Sequence, residues 1–171
     1  MKELGIGIIG FGTVGAGVAD CLIKNGEVIA KRTGVKPVIR KIADLDIVRD
    51  RGVKVPQEVL TTDAMEAIET CEVIVELVGG TTFAKTIILE ALKRGKPVVT
   101  ANKALLAKYG EELFAEAEKS GADIFYEASV GGGIPIIKSL REGLVGNRIN
   151  KIYGILNGTC NYILTRMERD Q

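Results

Sequence analysis

Gly10-Phe11-Gly12-Thr13-Val14-Gly15 is the first stretch whose residue types and spacing could do chemistry. It fits G-x-G-x-x-G, and it falls where an apolar strand ends and a helix opens. That context suits the pyrophosphate of a dinucleotide: Gly10 permits a tight turn, Gly12 lets backbone approach the phosphates, and Gly15 lets helix and strand pack closely. The main-chain N–H groups of Phe11, Thr13 and Val14 are the natural anion donors at that helix start. An acidic residue closing the next strand should hold the adenosine ribose. Asp44 is the candidate, although it lies further along the chain than the roughly 20 residues usual for the fingerprint; a long first helix and the turn at Lys31-Arg32-Thr33-Gly34 absorb the excess. Arg40, Lys41 and Lys54 lie near the same stretch, where they either neutralise a 2′-phosphate or stay solvated at strand ends. NAD and NADP are both open on this reading.

Two later loops follow strands: Val78-Gly79-Gly80-Thr81-Thr82 and Thr100-Ala101-Asn102-Lys103. Ligands of open parallel sheets bind outside the carboxyl ends of the strands, so both loops should flank the nicotinamide. Gly80 and Thr81 are candidate cofactor contacts, with helix capping the plainer role for Thr81. Lys103 is the candidate acid–base residue, because a lysine beside a reacting carbonyl can protonate a developing alkoxide. An ordinary surface lysine is its bland alternative. The chain contains no histidine, so acid–base chemistry within it falls to Lys, Asp, Glu, Tyr or Cys, and Ser-His or Cys-His nucleophile pairs are excluded unless supplied from elsewhere. Cys21, Cys71 and Cys160 show no C-x-x-C spacing and read as reduced thiols rather than metal ligands.

The elements that must position these residues alternate between strand and helix, the pattern of a parallel sheet with helices on both faces. Strands are expected at Ile6 to Ile9, Val38 to Ala43, Val73 to Val78, Pro97 to Thr100 and Asp123 to Glu127. Helices are expected from Val14 to about Ile29, with Val14, Val18, Leu22 and Ile23 on its inner face, and at Ala64 to Glu69, capped by Asp63. Further helices are expected from Phe83 to Arg94 and from Ala104 to Ser120, with Gly95 and Gly121 as C-caps. Past Glu127 the texture changes to Gly131-Gly132-Gly133, a short helix to about Gly143, a strand at Ile152 to Leu156, and a last helix with no evident stop signal before Gln171. The fold class is therefore α/β, a Rossmann-type doubly wound parallel sheet over 1–149. The first strand and helix of a second domain follow at 150–171, and the chain reads as cut close to where a substrate-binding half begins.

With 171 residues, 46% hydrophobic and 26% charged, the chain can bury one full α/β core. Its 23 Lys and Arg against 22 Asp and Glu produce no strong field for nucleic acid or a membrane surface, which leaves small molecules as partners. No stretch reads as a membrane span or a signal peptide, so the expected compartment is the cytoplasm.

Five stretches together resemble homoserine dehydrogenase: Gly7 to Gly15, Glu76 to Gly80, Val99 to Lys103, Tyr126 to Pro135, and Gly154 to Leu164. The first is common to many dehydrogenases, whereas the last three, in this order and spacing, are specific to the family. The resemblance implies reversible NAD(P)-dependent interconversion of L-homoserine and L-aspartate 4-semialdehyde, on the route to threonine and methionine, by a homodimer. It implies that Lys103 lies at the cofactor and the substrate and takes part in proton transfer, with a second lysine and the substrate carboxylates falling beyond Gln171, so that this segment alone binds cofactor better than it turns over substrate. It places Gly158 and Thr159 near the nicotinamide. It also implies a monovalent cation, typically sodium, held by Glu127 and main-chain carbonyls of Val130, Gly132 and Ile134. Another two-domain amino-acid or sugar dehydrogenase, or a non-catalytic nucleotide-binding module, is the competing reading of the fold alone.

Overall fold

The computed structural model describes residues 1–155 and 157–170. Six parallel strands form one sheet: β1 (Lys2–Ile9), β2 (Val35–Ala43), β3 (Leu60–Thr61), β4 (Val73–Glu76), β5 (Val98–Thr100) and β6 (Ile124–Phe125). Their order is β3-β2-β1-β4-β5-β6, the doubly wound order of dinucleotide-binding domains, with the direction of winding reversing between β1 and β4.

Successive side chains of each strand go to opposite faces. Ile8, Val75 and Val99 therefore belong to one core with α1 (Thr13–Thr33), whereas Ile9, Ile74 and Val98 belong to another with α2 (Ala64–Thr70), α3 (Thr82–Lys93) and α4 (Lys103–Ser120). Both faces are apolar, as a sheet covered on both sides demands. Gly34 and Gly121 end α1 and α4 in the left-handed conformation, and the Asp63 carboxylate accepts the Met65 N–H to start α2.

Two expectations need correction. The inner stripe of α1 is Gly15, Ala16 and Ala19 with Leu22 and Val18 at its margin, while Val14 is 57% and Ile23 53% exposed. Small residues face inward because the helix start packs against the glycine turn, and that contact rotates the helix by about one residue from the stripe drawn through its larger side chains. The strand expected at Ile152 to Leu156 is also not formed by its described residues: 150–155 carry no regular structure, and Ile152, Tyr153 and Ile155 are exposed with no neighbouring strand to complete a ladder. Leu156 lies outside the described residues. Before it, a 3-10 turn (Glu127–Ser129) leads to the short α5 (Ile136–Lys138), which runs into a π-helical turn (Ser139–Gly143). After it, α6 (Gly158–Arg169) is exposed along its whole length. Among the described residues, no helix is long and apolar enough to cross a membrane.

Candidate functional site

At the carboxyl end of β1 the three glycines meet three different constraints. Gly10 has φ +101°, and a Cβ there would lie 2.5 Å from the Leu77 carbonyl carbon. A Cβ on Gly15 would run into the Gly10 carbonyl oxygen. Gly12 differs: it caps α1 with φ −70°, and nothing lies within 4 Å of the place a Cβ would occupy. Turn and close packing thus explain Gly10 and Gly15 without any ligand, whereas the open side of Gly12 has no packing explanation.

The first helical N–H groups have no partner within a helix. Thr13 and Val14 present theirs from exposed positions at this opening. Phe11 does not: it is buried, and its N–H donates to the Asp44 carboxylate at 2.5 Å. Asp44 is held at the end of β2 by its own N–H, which donates to the Thr61 carbonyl, and its second carboxylate oxygen accepts the Asp46 N–H at 2.9 Å. A cavity of about 610 Å³ opens here, lined in part by Gly10, Gly12, Asp44, Thr62, Val78 and Phe83.

Arg40 is not at this end. It is the extra residue of a bulge in the β1–β2 ladder, where Ile6 pairs with Ile39 and Gly7 with Lys41. Its side chain passes over Gly5 and lies 3.6 Å from Glu3 and 3.9 Å from Glu72. Lys41 bonds Glu66 at 2.6 Å, and that bond is the main cause holding the Glu66 carboxyl below the usual range. The cation at Asp44 is Arg51, at 3.7 Å. A loop arginine carries no spacing signal, so nothing in the sequence points to Arg51.

The loops after β4 and β5 are tied together by a buried network. Glu76 and Thr100 are both fully buried; the Thr100 hydroxyl donates to Glu76 at 2.7 Å, and Glu76 also accepts the Val78 N–H at 3.0 Å. The Asn102 N–H donates to the Thr100 hydroxyl oxygen, and the Asn102 amide donates to the Gly80 carbonyl at 2.7 Å. Gly79 and Gly80 take φ +75° and +66° to make that approach. A glutamate at the end of the apolar run Val73-Ile74-Val75 was the visible signal for this network. Thr81 stands at the N-cap of α3 with no side-chain capping bond, so capping does not occupy its hydroxyl. Asn102 caps α4 through the Leu105 N–H, and the exposed Lys103 is the first residue of that helix. A cation there opposes the helix dipole by about 0.3–1 kcal/mol, so helix stability does not account for it.

Both Glu127 oxygens accept main-chain N–H groups, from Ile137 at 2.9 Å and Lys138 at 2.7 Å, while Gly131 and Gly132 turn the intervening loop at φ +73° and +62°. The Ile134 carbonyl accepts the Ile136 N–H, and the Val130 N–H donates to the Glu127 carbonyl. Glu127 and Ile134 therefore sit near one another, and each oxygen retains a lone pair. Among the described residues no cluster of three or more His, Cys, Asp or Glu exists, so main-chain carbonyls would have to supply most ligands of any cation here. Gly158 opens α6 after the Asn157 cap, and among the described residues no hydrogen bond joins this helix to the sheet.

Residues 10–127 match the family model described as the NAD binding domain of homoserine dehydrogenase, and residues 135–171 match one described as homoserine dehydrogenase. The homoserine dehydrogenases of Bacillus subtilis and Neisseria gonorrhoeae are 43% and 47% identical to this chain, over 100% and 98% of it and 40% and 39% of their own lengths. The crystal structure of the Thiobacillus denitrificans homoserine dehydrogenase aligns with a TM-score of 0.90 at 42% identity, covering 99% of this chain and 39% of that one. A hyperthermophilic archaeal homoserine dehydrogenase in complex with NADPH aligns with a TM-score of 0.80 at 29% identity, over 99% and 58%. The chain spans about two fifths of the length of these two curated relatives.

Proposed function

The chain belongs to the homoserine dehydrogenase family, and on that premise we propose that it holds the nicotinamide dinucleotide, NAD or NADP, for the interconversion of L-homoserine and L-aspartate 4-semialdehyde. Gly12 carries this reading: it offers open space at a helix N-terminus, at the point where the winding of the sheet reverses. Thr13 and Val14 donate to the pyrophosphate through their main-chain N–H groups. Gly10 and Gly15 shape the turn, and Phe11, with its N–H held by Asp44, braces it. Asp44 retains lone pairs for a ribose hydroxyl.

When bound, the cofactor supplies the hydride acceptor or donor. The loops bearing Gly80, Thr81 and Lys103, locked to each other through Asn102, border the nicotinamide. Lys103 gives a proton to the aldehyde oxygen in reduction and takes one in oxidation. Gly158 adds a main-chain contact to the cofactor. Glu127, with the carbonyls of Val130, Gly132 and Ile134, suits a hard monovalent cation such as sodium, because all four donors are oxygens on a tightly turned loop. By family resemblance the enzyme is a cytoplasmic homodimer serving threonine and methionine synthesis, with residues 1–149 as the cofactor domain and 150–171 leading into the substrate domain.

The test is a chimera in which residues 1–171 replace the matching two fifths of the Bacillus subtilis relative. It should oxidise L-homoserine with NAD or NADP faster than other amino alcohols. A folded chimera without that preference would defeat the assignment.

A further inference from the structure

Asp44 stands where a carboxylate selects NAD by bonding the ribose hydroxyls and repelling a 2′-phosphate. Its surroundings leave it lone pairs for a hydroxyl but offset its charge, so that it does not exclude a 2′-phosphate. One oxygen is occupied by the Phe11 N–H and the other by the Asp46 N–H, and the Arg51 guanidinium lies 3.7 Å away. Arg51 reaches Asp46 as well, with Nη2 3.8 Å from its carboxylate and donating to its carbonyl at 3.2 Å. The loop carrying Arg51 is itself held: the Arg49 N–H donates to the Asp46 carboxylate, the main reason that carboxyl lies below its usual range.

Two observations point from Arg51 to an anionic ligand. Its side chain is only 15% exposed, yet Nε is buried without a hydrogen-bond partner. Buried donors are rarely left so unless something else takes them. Beside it, a second cavity of about 450 Å³ opens next to Gly12 and Thr13, lined also by Arg49 and Arg51, and Gly12 borders both this cavity and the one at Asp44. The Arg49 guanidinium has no ion pair among the described residues, whereas Lys24, on the same rim, is paired with Asp20 at 2.7 Å.

We propose that Arg51, assisted by Arg49, reads the 2′-phosphate of NADP, so that the site accepts NADP in spite of Asp44. The inference rests on the cofactor site proposed above and names the residue that sets its preference. A planar guanidinium, always charged, can keep one edge on Asp46 and offer Nε and its remaining N–H groups to a phosphate dianion. Arg40, spent on Glu3 and Glu72 in the ladder bulge, takes no part.

The experiment titrates the 171-residue chain, wild type and the variants Arg51→Ala, Arg51→Lys, Arg49→Ala and Arg40→Ala, with NADP, NAD and 2′-AMP by calorimetry. Arg51→Ala should weaken NADP and 2′-AMP at least tenfold while changing NAD less than threefold. Arg51→Lys should fall between, Arg49→Ala should lower NADP less, and Arg40→Ala should leave the ratio unchanged. The NAD titration doubles as the check that each variant is folded. Equal weakening of NAD and NADP would make Arg51 a pyrophosphate contact or a loop brace, and an unchanged ratio would remove it; either overturns the inference while leaving the cofactor site intact. Wild-type chain that binds neither dinucleotide would overturn the cofactor site and this inference with it.

Discussion

Replacing Gly12 by alanine should remove cofactor binding from a chain that is otherwise as stable as before. At φ −70° the position lies in backbone space open to any residue, and the new Cβ meets nothing within 4 Å. Alanine is a poorer N-cap than glycine, costing about 0.5–1 kcal/mol, but it also restricts the unfolded chain, which returns about 0.4–1 kcal/mol. The melting temperature should therefore move by no more than roughly 2–4 °C in a domain of this size. The methyl group would stand where the pyrophosphate must approach, so NADP affinity should fall more than tenfold, or about 1.4 kcal/mol. Gly15→Ala is the contrast: its Cβ collides with the Gly10 carbonyl, backbone that cannot rotate away. Overpacking of that kind costs up to about 3 kcal/mol, a fall of roughly 6–12 °C. Thermal melts with and without NADP read both quantities. Wild-type NADP affinity in Gly12→Ala would refute the reasoning, because the open space beside Gly12 would then have no bearing on the ligand.

Thr100→Val withdraws the hydroxyl donor from buried Glu76 and the acceptor from the Asn102 N–H, so urea denaturation should show a loss of about 1–3 kcal/mol. Burial pushes the Cys71 thiol up; the folded state keeps its proton while the unfolded thiol ionises, so this contribution to stability is complete below the ordinary thiol range and declines as pH rises through it. The same burial means that a thiol reagent should modify exposed Cys21 and Cys160 in the native chain and reach Cys71 only on unfolding, as a thiol count before and after denaturant will show. In the chimera, Lys103→Ala should lower turnover at least a hundredfold while changing NADP affinity less than threefold, by steady-state kinetics and calorimetry.

Gly10 and Gly15 made the turn legible in sequence because each answers a backbone constraint that only a glycine meets, Gly12 completed the spacing although its own backbone would admit any residue, and apolar runs exposed five of the six strands. The two-residue β3 escaped because its apolar run, Val59-Leu60, breaks off at Thr61-Thr62-Asp63, whereas the equally short β6 lies in the longer run Ile124-Phe125-Tyr126 after the Gly121 cap. The position of Arg40 has a physical reason: the bulge at Ile6 and Gly7 makes it the unpaired residue of β2, and its side chain meets Glu3 and Glu72, away from the carboxyl ends of the strands. No pattern in the sequence announces that bulge. Arg51 was invisible for the complementary reason, since it comes to Asp44 through the path of an irregular loop. The stripe Val14, Val18, Leu22 and Ile23 follows hydrophobicity, but close packing at Gly15 sets which face turns inward.

The cofactor claim is tested most directly by amide NMR of the isotopically labelled chain titrated with NADPH. The resonances of Thr13, Val14, Gly80, Thr81 and Lys103 should shift together and saturate at one equivalent, while Arg40 and the amides in the second half of α4 stay in place. No saturable change, or changes confined to residues away from the carboxyl ends of β1, β4 and β5, would contradict it.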